Sequence, residues 1–221
     1  MPLIPQYMHW YECDISWGRA DHPSILPNPG NYPLVVDALF AGPRFSCKFS
    51  RVLIDGGSTI NILYRYTLVK LGLTKRDLEH SRTTFHGIVP GLSCTPMGRI
   101  RLDVIFCIEE NFRREPIWFE VADLSSPYHA LLGLPAFAKF MLNAHEHYLK
   151  MKIPGPKGVI TVTGDFRKSL ECTSAGGNLA DSQVITKEKR QLGKVIAMAQ
   201  AQNKAPLPVG PAKRADEELA F

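Results

Sequence analysis

The chain has no long apolar run. The best of its 221 residues, Ala130 to Leu142, is interrupted by Lys139, well short of the roughly 20 residues a membrane-crossing helix needs. No basic stretch followed by an apolar core opens the sequence, so no secretory leader is expected. Cysteine is sparse: Cys13, Cys47, Cys94, Cys107 and Cys172 are odd in number and widely spaced, with no Cys-x-x-Cys pair. That pattern argues against a disulfide framework or a zinc knuckle and suits a reducing, intracellular setting. Basic charge is not concentrated. The net charge is +5, but no run of five or more Lys or Arg occurs, so the excess reads as a solvated surface and not as a nucleic-acid face. Ser58 does not sit in Gly-x-Ser-x-Gly, and Gly56-Gly57 is not followed by Gly-Lys-Ser/Thr. A nucleophile-elbow hydrolase and a phosphate loop are both unsupported. His145 and His147 stand two apart with no third ligand at a metal-binding spacing, so neither a metal nor a cofactor is expected.

What is present is a β-rich middle between two irregular ends. Residues 1–30 are rich in Pro and aromatics and read as an extended lead-in. From Leu34 to Phe40 and from Phe45 to Ile54 the sequence reads as strands, ending at Asp55-Gly56-Gly57. Ile60, Leu63, Tyr64, Leu68 and Leu71 then recur at helical spacing up to Gly72. Thr83–His86 and Thr95–Phe106 read as the arms of a long hairpin, with Ile100, Leu102, Val104 and Phe106 on one face of the second arm. Ile117–Val121, Ala130–Leu132, Tyr148–Ile153 and Val159–Val162 are further strands, with a helical turn from Pro135 to Leu142. This predicts a mostly β domain over residues 31–165. A linker-like tail follows over 166–221, with a helix placed at 184–202.

The chemistry is carried by Val52-Leu53-Ile54-Asp55-Gly56-Gly57-Ser58. An apolar strand that ends in Asp and then turns sharply can present a carboxylate at the mouth of a cleft, because paired glycines let the backbone reverse. On these residues alone an ordinary β-turn reads the same way. The stretches that follow in order are Phe85-His86-Gly87-Ile88-Val89-Pro90-Gly91, Tyr128-His129-Ala130-Leu131-Leu132-Gly133, Ala138-Lys139-Phe140-Met141 and Pro154-Gly155-Pro156-Lys157-Gly158-Val159-Ile160. Together, over residues 18–172, they resemble the retropepsin-like aspartic protease segment of plant gypsy-type long-terminal-repeat retrotransposon polyproteins.

The resemblance implies a closed, barrel-like acid-protease fold with one or two short helices. It implies that Asp55 is the catalytic carboxylate and that Gly56, Gly57 and Ser58 form the active-site turn. In that turn the Gly57 backbone would bond the substrate main chain, and the Ser58 hydroxyl would donate to the outer oxygen of Asp55. Gly87, Ile88, Val89, Pro90, Gly91 and Leu92 would form a flap, and Leu132 and Gly133 the packing support. Such enzymes need two carboxylates sharing one proton. No other Asp in the chain is followed by Gly, so an active enzyme must be a homodimer with its axis through the site. The expected function is peptide-bond hydrolysis of the element's own polyprotein, in the cytoplasm or within virus-like particles. One position departs from the wider family: Gly56 replaces Thr or Ser, a glycine that plant gypsy-type elements often carry. Loss of that hydroxyl removes cross-subunit hydrogen bonds worth about 0.5–1.5 kcal/mol each. The alternative reading is therefore a catalytically inactive retropepsin-like dimerisation or peptide-binding module from a degenerate element.

Overall fold

The computed structural model describes residues 14–23, 26–83, 85–89, 92–108 and 110–179. The proposed helix at 184–202 and two flap residues, Pro90 and Gly91, lie outside the described residues.

The first two strands, β1 (Leu34–Ala41) and β2 (Ser46–Ile54), pair antiparallel with Leu34 opposite Ile54. A short strand β3 (Ile62–Tyr64) leads into the helix α1 (Arg65–Lys70). A separate two-stranded sheet follows, β4 (Phe85–Val89) and β5 (Leu92–Cys94). The long strands β6 (Gly98–Ile108) and β7 (Asn111–Ala122) form a continuous antiparallel ladder, from Gly98 opposite Val121 to Ile108 opposite Asn111. Then come β8 (Ala130–Leu132) and the helix α2 (Leu134–Phe140). The strands β9 (Asn143–His145), β10 (Lys150–Gly155) and β11 (Gly158–Thr163) form a three-stranded sheet.

Six strands close into a barrel in the order β1-β2-β8-β3-β7-β6. The fold is mostly β, as the strand pattern of the sequence predicts. Alternation on β6 puts Ile100, Leu102, Val104 and Phe106 inside, all buried, against Phe40, Phe49 and Phe119. Met151, Ile153 and Ile160 of the three-stranded sheet join the same core, as does Phe140 of α2, edge-on to Phe106 at 5.1 Å between ring centres. Burying each such side chain contributes roughly 1.5–3 kcal/mol.

Three local expectations differ. The helix expected from Ile60 to Leu71 is a strand over Ile62–Tyr64 and a helix only from Arg65. β3 runs between β7 and β8, and its three residues are all buried. A strand buried on both faces has a continuous apolar run, which spacing alone does not distinguish from a helix. The hairpin arm placed at Thr95–Phe106 belongs instead to the barrel. β4 is paired by the short β5, while β6 pairs β7 and β1. Gly98 opens β6 at φ +152°, and a Cβ there would lie 2.7 Å from the Glu79 carbonyl oxygen. Glycine thus permits the close crossing that starts the barrel strand. Finally, residues 166–179 are helical (α3). Cys172 is buried, its thiol 3.8 Å from the Pro127 carbonyl, and Ser169 is fully buried.

Part of the lead-in is also fixed. Lys152 pairs with Asp21 at 2.8 Å and bonds the Ser16 carbonyl at 2.7 Å, while its ammonium lies 4.6 Å from the centre of the Trp17 ring. The Trp17 indole donates to Asn143. Among the described residues no helix is long and apolar enough to cross a membrane.

Candidate active site

β2 and β8 run parallel, with Ile54 opposite Leu132. The chain leaves β2 at Asp55, whose N–H donates to the Leu132 carbonyl at 3.0 Å. The sheet ladder therefore extends one step into the turn and holds the Asp55 backbone. The turn closes with the Ser58 N–H on the Asp55 carbonyl at 3.3 Å. Within it the Gly57 N–H donates to Asp55 Oδ1 at 2.9 Å, which orients the carboxylate. Gly56 and Gly57 are exposed and Asp55 is half-buried.

The second layer is β8 and the start of α2. Leu134 N–H donates to the Ser58 carbonyl at 2.8 Å. Gly133 N–H donates to Asn61 Oδ1 at 2.9 Å, and the Asn61 amide nitrogen donates to the Trp118 carbonyl at 3.0 Å. A Cβ on Gly133 would sit 2.3 Å from the Ile60 carbonyl oxygen and 2.5 Å from that of Ser58. Here glycine is required by close backbone approach, which accounts for the apolar-apolar-Gly pattern of Leu131-Leu132-Gly133. The Phe137 ring of α2 lies beneath Gly56, 3.5 Å from where a Cβ would stand.

Strand alternation gives this region a second apolar cluster. Val52, Ile54, Ala130 and Leu132 point into the barrel core, so Leu53 and Leu131 point the other way. There they join Ile60, Ile62, Tyr64, Leu124 and Tyr128. Burial raises the Tyr64 hydroxyl above its ordinary range, and the charge of Asp55 adds to the effect. Burial likewise pushes Tyr128 up to about 12, with a smaller contribution from Asp55. Both phenols remain protonated and neutral beside the carboxylate.

The structure brings Asp55, Gly56, Gly57, Ser58, Leu132 and Gly133 together at the end of β2 and the β8–α2 junction. One detail is corrected. The Ser58 hydroxyl donates to the Ile60 carbonyl at 3.0 Å, not to the Asp55 carboxylate. Ser58 instead bonds two residues along its own chain, its hydroxyl also accepting the Ile60 N–H at 3.5 Å. The Gly57 N–H is also engaged within the loop. Gly87, Ile88, Val89 and Leu92 lie on the β4–β5 hairpin. Asn61 and Phe137 were not anticipated. The available signal for Asn61 was a polar residue set between Ile60 and Ile62 in an apolar run.

Two concavities lie away from the Asp55 carboxylate. One, about 200 Å³, is lined by Thr59, Ile60, Trp118 and Pro135 among others. The other, about 400 Å³, is lined by Asp37, Lys48, Phe106 and Cys107 among others. Among the described residues no cluster of three or more His, Cys, Asp or Glu could hold a metal ion.

No family model and no curated protein matches this sequence. Among solved structures, the chain is similar to the retroviral protease-like domain of Ddi1 from Leishmania major. The TM-score is 0.39 and the identity 16%, over 59% of this chain and 93% of that one. It is also similar to a retropepsin-like aspartic protease from Rickettsia conorii, with TM-score 0.32 and 18% identity, over 58% of this chain and 79% of that one. What the Asp55 loop can do chemically follows from its own geometry.

Proposed function

We propose that this chain is an aspartic endopeptidase that works as a homodimer and hydrolyses a polyprotein of the retrotransposon type. The observation that carries this reading is the Asp55 turn. A carboxylate stands at the end of a barrel strand whose inward residues, Val52 and Ile54, are buried, is oriented by the Gly57 N–H at 2.9 Å, and is tied to β8 through Leu132. Its exposed side is formed by two glycines, so a second copy can approach closely. Two such turns related by a two-fold axis would place two carboxylates side by side with one proton between them.

In the proposed reaction the ionised carboxylate takes a proton from a bound water, and the water oxygen attacks the scissile carbonyl carbon. The protonated carboxyl gives its proton to the carbonyl oxygen. Collapse of the tetrahedral intermediate then breaks the C–N bond as the amine takes up a proton. The half-buried Leu53 and Tyr128, backed by the buried Ile62 and Leu131, would meet substrate side chains. The hairpin around Gly87 to Leu92 would cover the peptide and exclude water. Residue-by-residue resemblance to gypsy-type protease segments supports the polyprotein as substrate.

A second reading, a retropepsin-like module that pairs or binds peptide without cutting, is favoured by Gly56, which offers no hydroxyl to bond across the dimer. Self-cleavage of the full chain at about pH 5, beside Asp55→Asn, separates the two. Cleavage by the native chain and none by the variant is expected. If both are folded and dimeric and neither cuts, the module reading replaces the enzyme.

A further inference from the structure

We infer that Asn61 is a positioning residue for the Asp55 turn, acting through a side chain that accepts from Gly133 and donates to Trp118 at once; this rests on the endopeptidase reading above. The loop from Asp55 to Asn61 is laced to Leu132, Gly133 and Leu134 by three hydrogen bonds. Asp55 N–H reaches Leu132 O at 3.0 Å, Ser58 O receives Leu134 N–H at 2.8 Å, and Asn61 Oδ1 receives Gly133 N–H at 2.9 Å. The first two are backbone to backbone. Asn61 contributes the side chain in this lacing, and it is 4% exposed.

Asn61 also bonds in the opposite direction. Its amide nitrogen donates to Trp118 O at 3.0 Å, and its own carbonyl accepts the Glu120 N–H at 2.9 Å. The residue therefore joins three elements: the catalytic loop, β7, and the β8–α2 junction. Its requirement is chemical as well as spatial. The side chain must accept from Gly133 and donate to Trp118 at once, and a carboxamide does both. A carboxylate can only accept, so it would set an oxygen against the Trp118 carbonyl. A protonated carboxyl has the same shape as the amide and can do both.

That difference gives a test that plain loss of stability would not mimic. Burial raises the pKa of a carboxyl group, and the one introduced by Asn61→Asp would share its loop with Asp55, while Glu120 from β7 and Lys139 from α2 line the cleft beside position 61. In acid it is protonated and replaces the amide. As pH rises it ionises and the Trp118 bond is lost. The experiment compares the full-length native chain, Asn61→Asp, Asn61→Leu and Asp55→Asn, with dye-labelled casein as substrate from pH 3.5 to 6.5. kcat and KM are resolved, and thermal unfolding is recorded at each pH. The expected result has two parts. Asn61→Asp has a kcat within about threefold of the native chain at pH 4 and at least tenfold below it by pH 6, with KM unchanged. Asn61→Leu is at least tenfold low in kcat throughout, again with native KM.

Asn61→Asp and native profiles that superimpose overturn the inference. So does a loss that follows the melting temperature and not pH. Where Asn61→Leu does not fold, Asn61→Ala, which removes both bonds without adding bulk, takes its place, and a native pH profile and kcat for it likewise overturn the inference. Failure of the underlying reading is seen separately: native chain and Asp55→Asn then digest casein equally or not at all, and both proposals fall together.

Discussion

Gly133 and Ile60 approach so closely that a Cβ on the glycine would lie 2.3 Å from the Ile60 carbonyl oxygen, with the Ser58 carbonyl oxygen at 2.5 Å. Both contacts are to backbone, so no side chain can rotate away to relieve them. The Asp55 loop lies on the β8–α2 junction because that junction has no side chain. Gly133→Ala should therefore cost about 3 kcal/mol or more, at the upper end of overpacking penalties. Urea unfolding of the two chains checks this. A difference under 1 kcal/mol would mean that the loop is not seated as described.

Gly56 is the contrary case. A Cβ there meets only the Phe137 ring, at 3.5 and 3.6 Å, which is ordinary contact. Its φ is not in the left-handed region, so the backbone places no demand for glycine. Gly56→Ala should fold normally and gain about 0.4–1 kcal/mol by restricting the unfolded chain. Gly56→Thr places its Cβ in the same contact and supplies a hydroxyl on the face proposed to pair. Its expected signature is a tighter dimer, read by sedimentation equilibrium. A destabilised Gly56→Ala would mean that the Phe137 ring cannot yield.

The contrast between these glycines marks what could be read in advance. Asp55, the sharp turn and Gly133 were legible because each imposes a local demand that few residue types meet. Strands such as β6 were legible through alternation, Ile100 to Phe106 falling on one buried face. β3 was not, because Ile62-Leu63-Tyr64 is buried between two neighbouring strands and loses the period that identifies a strand. The pairing of β6 with β7 in place of the flap was also hidden, since ladder partners depend on closure of the barrel. Asn61 could be noticed as a polar residue in an apolar run, but its partners, Gly133 and Trp118, lie more than fifty residues away.

Arg113 is a second buried polar group whose backbone partners are distant in sequence. It points inward from β7, 3% exposed. Its guanidinium donates to the Phe140 carbonyl at 2.6 Å, Lys139 at 2.5 Å and Pro154 at 3.2 Å, and to Glu115 Oε1 at 2.9 Å. It thus satisfies carbonyls at the C-terminal end of α2, the helix that begins beside Gly133. A lysine offers one compact ammonium and cannot span this fork. Arg113→Lys should cost about 3–5 kcal/mol, the range for breaking a buried charged network. Thermal denaturation would show it, and loss of α2 would appear as faster amide exchange over Ala138 to Leu142. A variant as stable as the native chain would show that water satisfies those carbonyls equally well.

His129 makes the fold sensitive to acid. The ring is 5% exposed and lies against Phe49 and Tyr66, at 5.2 and 5.6 Å between centres, and its Nδ1 is buried with no hydrogen-bond partner. Burial lowers its pKa from 6.5 to about 4, with smaller contributions from Lys70 and Arg51. The unfolded chain therefore binds a proton below about pH 6.5 that the folded chain accepts only near pH 4. Stability from the neutral ring is complete above pH 6.5, falls as pH drops through that window, and levels off below it. The loss should reach about 1–3 kcal/mol. Aspartic proteases work in acid, so this places a limit on the folded chain in the range where the proposed chemistry is assayed. Replacing the ring with a non-titrating one of similar size, His129→Phe, should flatten the decline. Urea midpoints at pH 7.0 and 4.5 for native and variant chains provide the measurement. The same decline in both would assign the acid sensitivity to carboxylates such as Asp37, which burial raises but Lys168 and Lys48 hold below its ordinary range, and Asp165, held low chiefly by the Lys168 backbone N–H.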